Sequence, residues 1–239
     1  MVWMMPLLPI LAVYVLAALL PALLLLRYIY KHDTVEKEPP GLLAALLGLG
    51  VVAALCSGVL EALGETILYT LVDPGSPVYT ILLAFLVVAL VEEGMKFYLL
   101  RRRTWRDPNF NYRFDGIVYA VFLSLGFAAF ENLQYVFQYG LSVALPRALC
   151  AIPGHMSFAV FMGVFYGRAK LLENCGDEVG ARRNLRRSYV VAVFLHGFYD
   201  ACAMIGSGAA SAVFVVFVIL MYMRVYRLVK KESATDAPV

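Results

Sequence analysis

Glu92, Glu93 and Lys96 are the only charged residues in an apolar run that extends from Val78 to Leu100. Each charge placed at the centre of a membrane helix costs about 2.5–3.5 kcal/mol on insertion scales, so a compensating role is expected. Other apolar runs carry Glu131, His155, and His196 with Asp200. Carboxylates and imidazoles are the side chains that take a proton from water or hold a divalent cation. Glu92 and Lys96, Phe127 and Glu131, Glu131 and Tyr135, and His196 and Asp200 are each four residues apart. That spacing puts each pair on one helix face. A face that shows imidazole and carboxylate together can give a hard cation two ligands or orient a water.

Each group taken alone also has a plainer reading. Glu92 and Lys96 can be an intrahelical ion pair, and Glu131 with Asn132 and Gln134 can be hydrogen-bonding glue between helices. His155 can be structural, and His196–Asp200 a simple hydrogen-bonded pair. Glu61 and Glu65, near the end of their run, read as interfacial. The joint occurrence weakens these readings, because several buried groups need each other or a cation.

The elements that must position these residues follow from composition. Of 239 residues, 62% are hydrophobic and 15% charged, and mean hydropathy is +0.77. Soluble domains are about 45–50% apolar and about 25% charged. The excess lies in long runs with no strand-like alternation, so the expected fold is an all-α polytopic membrane bundle forming one domain over 1–239. Cys56, Cys150, Cys175 and Cys202 form no CxxC pair, so neither a disulfide framework nor a thiolate zinc site is expected.

About seven spans are expected: Met1 to Leu26, Gly41 to Leu63 or beyond, Val78 to Leu100, Phe114 to Tyr139, Arg147 to Leu172, Ser188 to Ile205, and a last one ending near Arg224–Lys231. The first run lacks the basic start of a cleaved signal peptide and is expected to be retained. Lys and Arg concentrate after spans one, three, five and seven, with Arg147 as the exception. That alternation predicts the N-terminus outside and the C-terminus in the cytoplasm of a multi-pass cytoplasmic-membrane protein. The arginine clusters thus read as topology determinants and not as nucleic-acid sites. The loop after span five is expected to hold Arg182, Arg183, Arg186 and Arg187, and 230–239 reads as a flexible polar tail. At 1.5 Å per residue, Glu92 and His196 fall ~12 Å from the cytoplasmic edge, His155 ~16 Å, and Glu131 and Asp200 ~18 Å. All lie in one slab near the midplane.

A transport pathway and an intramembrane enzyme both put polar groups at that depth, and a non-catalytic scaffold is a third class. Transporters usually show repeats or matched broken helices, and none is evident. There is no HExxH for a zinc protease of that type, and no GxGD partner for Tyr199-Asp200. Gly206-Ser207-Gly208 sits at a span end, which suits a serine nucleophile poorly.

Glu92-Glu93-x-x-Lys96, then Phe127-x-x-x-Glu131-Asn132-x-x-Tyr135, then His155, then His196-x-x-x-Asp200 resemble, in order and spacing, the PrsW family of intramembrane proteases over about Val78 to Cys202. Asp115-Gly116 before the fourth span fits the same pattern. The family is distantly similar to the CAAX prenyl endoproteases, but Lys96, Glu131 and Asp200 depart from that pattern and argue against a prenylated substrate. The resemblance implies a membrane-embedded endopeptidase that cuts a single-span membrane-anchored regulator, such as an anti-sigma factor in a stress response. On spacing and likeness together, Glu92 or Glu93 would activate water, with Lys96 orienting one of them. Glu131, His155 and His196 would bind a divalent metal or position that water, with Asp200 as a further ligand or as the orienter of His196, and Glu93 is a further candidate ligand. The mixed nitrogen and oxygen set favours zinc, with a metal-free glutamate mechanism as the other route. Asn132 and Tyr135 would donate to the oxyanion or the substrate backbone.

Overall fold

Proline, serine and aspartate set four of the seven helix starts. A computed structural model describes residues 7–239; the first six residues of the first expected span lie outside the described residues. Seven long helices follow: α1 Leu7–His32, α2 Pro40–Leu71, α3 Pro77–Thr104, α4 Asp115–Tyr139, α5 Leu141–Asn174, α6 Glu178–Met204 and α7 Gly208–Ala234. Prolines in the first turns of α2 and α3 cost no hydrogen bond there. The Ser76, Asp177 and Ser207 side chains accept from the N–H groups of Tyr79, Gly180 and Ala210, capping α3, α6 and α7. Gly140, at φ +82°, ends α4 in a conformation that suits glycine.

Six of these helices are long and apolar enough to cross a membrane; α6 is not among them. Its first turns hold Arg182, Arg183, Arg186 and Arg187, and its apolar half carries His196 and Asp200. Those arginines are helical, where the sequence reading puts them in a loop. The Asp177 cap starts the helix ten residues before the apolar stretch, and arginine is a good helix former. Among the described residues there is no sheet, only one isolated bridge between Tyr112 and Pro238.

Helix α4 is the axis of the bundle: every residue from Asp115 to Ala128 is buried. It packs against α1, α2 and α5, and glycines bring the backbones together. A Cβ on Gly126 would lie 2.3 Å from the Leu47 carbonyl oxygen of α2, and one on Gly163 of α5 would lie 2.5 Å from the Gly116 carbonyl oxygen. The outer faces of α1, α2 and α7 stay apolar, with Leu16, Val59, Ile67 and Val216 exposed. A water-facing surface rarely carries so large an apolar area, whereas a bilayer solvates it. The chain is a multi-pass membrane protein.

Two stretches are wound wider than an α-helix. Leu83–Ala89 of α3 and Arg147–Ala151 of α5 are wound as wide π turns. Each ends a few residues before a site residue, Glu92 in one case and His155 in the other. Such turns change which side chains face inward, and they recur at functional sites.

At the basic end, α7 continues to Ala234, and the last residues pair with the 111–114 segment. Arg113 N donates to the Ala237 carbonyl and Val239 N to that of Asn111, both at 2.9 Å. The Asp236 carboxylate accepts from Phe114 N. Close by, Tyr119 donates 2.6 Å to buried Glu38, which precedes α2. Burial pushes the Glu38 carboxyl up to about 7, against the lowering effect of that hydrogen bond, and pushes Asp33 up to about 6.

Gly163→Val is therefore expected to lower the melting temperature in detergent by the equivalent of about 1–3 kcal/mol, as overpacking does; an unchanged melting temperature would show that α4 and α5 are not in backbone contact. A second expectation concerns pH. The folded pKa values of Asp33 and Glu38 lie above the unfolded values of about 4, so the folded state holds more protons in between. Stability should fall as pH rises from about 4 to about 7. Thermal melts of Glu38→Gln across this range should show a flatter slope than the unsubstituted chain.

Candidate active site

The polar residues of four helices form one continuous chain of contacts. On α3, Lys96 Nζ lies 2.9 Å from Glu92 Oε2 and 2.8 Å from Glu93 Oε1. The same ammonium lies 3.1 Å from His155 Nδ1 on α5 and 3.9 Å from the centre of the Phe127 ring on α4. His155 Nε2 is 3.1 Å from Glu131 Oε2 on α4, and that oxygen also accepts from Arg147 at 2.8 Å. On the other side, His196 Nδ1 of α6 is 3.0 Å from Glu93 Oε1, and its Nε2 is 3.2 Å from Asp200 Oδ2. The His196 ring stacks on Phe158 with a centroid spacing of 4.7 Å. Glu92, Glu93, Lys96, His155 and His196 are all buried.

The two histidines are held alike. Each turns Nε2 toward a carboxylate behind it, Glu131 or Asp200, and turns Nδ1 inward toward the glutamate–lysine group. This is the carboxylate–histidine pairing that fixes the tautomer of a ligating imidazole. His155 Nδ1 can accept from the Lys96 ammonium. His196 Nδ1 meets a carboxylate oxygen instead, so with the proton on Nε2 two lone pairs face each other unless a cation lies between them. Glu93 Oε2 is buried without a hydrogen-bond partner. Glu92, Glu93, His155 and His196 offer ligand atoms that all lie within 4.8 Å of one another. Two imidazole nitrogens and two carboxylates suit a borderline cation such as zinc. The residues present therefore fit a divalent metal, with Lys96 drawing on the same oxygens.

The cluster opens on a cavity of about 450 Å³ lined from α2, α3, α4, α5 and α6. Glu92, Glu131, Tyr135, His155, His196 and Asp200 border it. Glu93, wholly buried, does not. The cavity reaches past Pro146 and Met204, toward the end of the bundle opposite the arginines. Two of its charged residues, Glu61 and Arg147, were not expected there. Glu61 borders it with one oxygen buried and unpartnered, so it is not the interfacial residue expected. Arg147, the exception to the charge alternation, pairs with Glu131 and also donates 2.9 Å to Asn132 Oδ1 while lying 3.8 Å from the Tyr135 ring centre. An unpaired arginine and glutamate in facing apolar runs were the available signals for both.

Comparison with known proteins decides what this arrangement belongs to. The profile of the PrsW family intramembrane metalloproteases matches residues 38–225. Protease PrsW of Clostridioides difficile is 32% identical over 211 residues, 87% of this chain and 86% of the relative. The chain belongs to the PrsW family. Protease PrsW of Halalkalibacterium halodurans is 30% identical, covering 92% of this chain and 97% of the relative, and that of Bacillus subtilis 30%, covering 77% and 79%. No solved structure matches. As a PrsW family member the chain is a membrane-embedded protease, and the four inward-facing donors are where a metal of this metalloprotease family could bind.

Glu131, expected to bind a metal or position water, and Asp200, expected as a further ligand or as the orienter of His196, each lie against the Nε2 of a histidine, while Glu92 groups with Glu93, His155 and His196. Asn132, taken as an oxyanion donor, is buried away from the cavity: its amide donates 2.7 Å to the Ala18 carbonyl of α1 and its oxygen accepts from Arg147. Tyr135 remains at the cavity wall.

The Arg147–Glu131 contact can be weighed by a double-mutant cycle. Arg147→Leu and Glu131→Gln should each lower the melting temperature, and together should lower it by less than the sum, with a coupling of about 0.5–3 kcal/mol. Strict additivity would show that the pair does not form.

Proposed function

We propose that this chain is an intramembrane endopeptidase of the cytoplasmic membrane that cuts a single-span, membrane-anchored regulatory protein, with an anti-sigma factor as the type of substrate. The observation that carries the reading is the cavity floored by Glu92 and the two histidines. It enters the bundle beside the irregular 140–151 segment, where an extended peptide could reach the buried donors. The concentration of arginine and lysine at the other end supports an orientation in which the cavity opens away from the cytoplasm.

In this reading Glu93, His155 and His196 hold the metal, with zinc as the ion the donor set favours. When bound, a divalent cation supplies Lewis acidity, which lowers the pKa of water and polarises a carbonyl. Glu92 is the base, because it is the member of the glutamate pair that borders the cavity. It takes the proton of the attacking water and hands it to the leaving amine, a role worth about 10²–10⁴-fold in rate. Lys96 holds Glu92 in place through its 2.9 Å contact. Glu131 and Asp200 orient the imidazoles from behind. The Tyr135 hydroxyl is a donor to a developing oxyanion at the cavity wall, which Arg147 and Tyr199 also line.

The division of roles is open to test with a single-span reporter substrate and elemental analysis of the purified protein. Glu92→Gln should abolish cleavage while metal content stays at the wild-type level. Glu93→Gln, His155→Gln and His196→Gln should lose both. Glu131→Gln and Asp200→Asn should weaken metal affinity by about 10–100-fold, as other outer-shell substitutions do. Wild-type cleavage in the Glu92 and histidine variants would sink the site.

A further inference from the structure

Helices α3 and α6, which carry Glu93 and His196, also share a groove at the basic end. Its floor is aromatic: Phe97 and Tyr189 stack with centroids 5.9 Å apart, and Tyr189 donates 3.0 Å to the Leu90 carbonyl. Arg101, Arg182 and Arg186 rim this groove, of about 300 Å³. A second hollow of about 610 Å³ adjoins it through Phe97 and Arg101 and adds Arg102, Arg103 and Arg106. Asp107 pairs with Arg103, and Glu178 with Arg182. Among the described residues Arg101, Arg102, Arg106 and Arg186 have no carboxylate within salt-bridge distance, and all four are exposed.

Positive charge scattered for topology alone would not need to converge on one inter-helix groove. The surface beyond the groove says what converges with it. Arg186, Val190 and Phe194 follow one another every fourth residue along α6, and Val190 and Phe194 are exposed. On α3 the Phe85 ring lies 6.1 Å from that of Phe194, and Leu86 and Leu90, four residues apart on one helix face, are exposed beside it. An arginine cluster therefore caps an apolar lane along α3 and the apolar half of α6. A free phosphate would use the cap and leave the lane bare, whereas a phospholipid fills both.

We infer that the α3–α6 groove binds an anionic phospholipid, its headgroup phosphate held by Arg101 and Arg186 and its acyl chains lying along the lane. A lipid seated there clamps the two helices whose contact brings His196 within 3.0 Å of Glu93. The chemistry is that of basic inter-helix pockets at a membrane surface, where each arginine contributes about 1 kcal/mol.

The test needs no proteolysis. The full-length protein in detergent is titrated with phosphatidylglycerol, phosphatidylcholine or inorganic phosphate, following bound lipid by native mass spectrometry and stability by thermal melting. Phosphatidylglycerol should bind and raise the melting temperature; phosphatidylcholine and inorganic phosphate should do neither. The double variant Arg101→Gln/Arg186→Gln should melt like the unsubstituted chain in phosphatidylcholine but lose about thirtyfold in phosphatidylglycerol affinity. Arg227→Gln, at the same end but on α7, should keep it. The inference is overturned if inorganic phosphate reproduces the stabilisation, if the double variant titrates like the unsubstituted chain, or if Arg227→Gln loses as much.

Discussion

The Lys96 ammonium, about 1% exposed, lies within 3.1 Å of two carboxylates and an imidazole. Lys96 and Glu93, both buried and away from the cavity, have no water to fall back on. Removing one member of a buried ion pair typically costs about 3–5 kcal/mol, because the survivor is left uncompensated. Glu92 and Glu93 can thus occupy the interior of α3 only while Lys96 does. The dependence spreads outward. Because His155 Nδ1 faces Lys96, its other nitrogen is the one that points to Glu131, and Glu131 in turn holds Arg147. One cation on α3 sets the hydrogen-bonding direction of a residue on α5, which sets the partner of a residue on α4.

Such a chain needs helices that stay in place to within a few tenths of an ångström. Helix α4 provides this by being buried along its first fourteen residues, with its glycine contacts to α2 and α5 leaving no slack. The wide turns at Leu83–Ala89 and Arg147–Ala151 do the opposite job. They shift the facing of α3 and α5 by a fraction of a turn, so that residues beyond them look into the centre. Rigid contacts fix the position of the frame, and the two irregular windings aim the side chains within it.

The apolar runs made the bundle legible, because a membrane span is a length and composition signal that needs no partner. The site was legible as a set for a related reason: a charge in such a run announces itself. Its internal division was not. Spacing places Asp200 on one face with His196, but it does not say whether the carboxylate stands beside the cation or behind the imidazole. Only the packing of α6 against α3 decides that, and it puts Glu93 at Nδ1 and Asp200 at Nε2. Asn132 went astray for the same reason, since its partner Ala18 is 114 residues away on α1. Glu61 lay near the end of its run, where depth estimated from span edges is least certain, and α2 proved to extend to Leu71.

The pairing of Glu92 with Glu93 makes sense in this light. Adjacent residues on a helix point about 100° apart, so two neighbouring glutamates present different sides of the helix even where both reach Lys96. Here Glu92 borders the open space and Glu93 is closed off against His196. A single glutamate would have to be either open to the cavity or closed against an imidazole. Two in succession, both tied to the same lysine one turn on, divide those demands at no cost in added helices. The order matters too. Moving the pair by one residue would turn the buried carboxylate outward and strand the lysine, so the motif is tied to the register that the wide turn before it imposes.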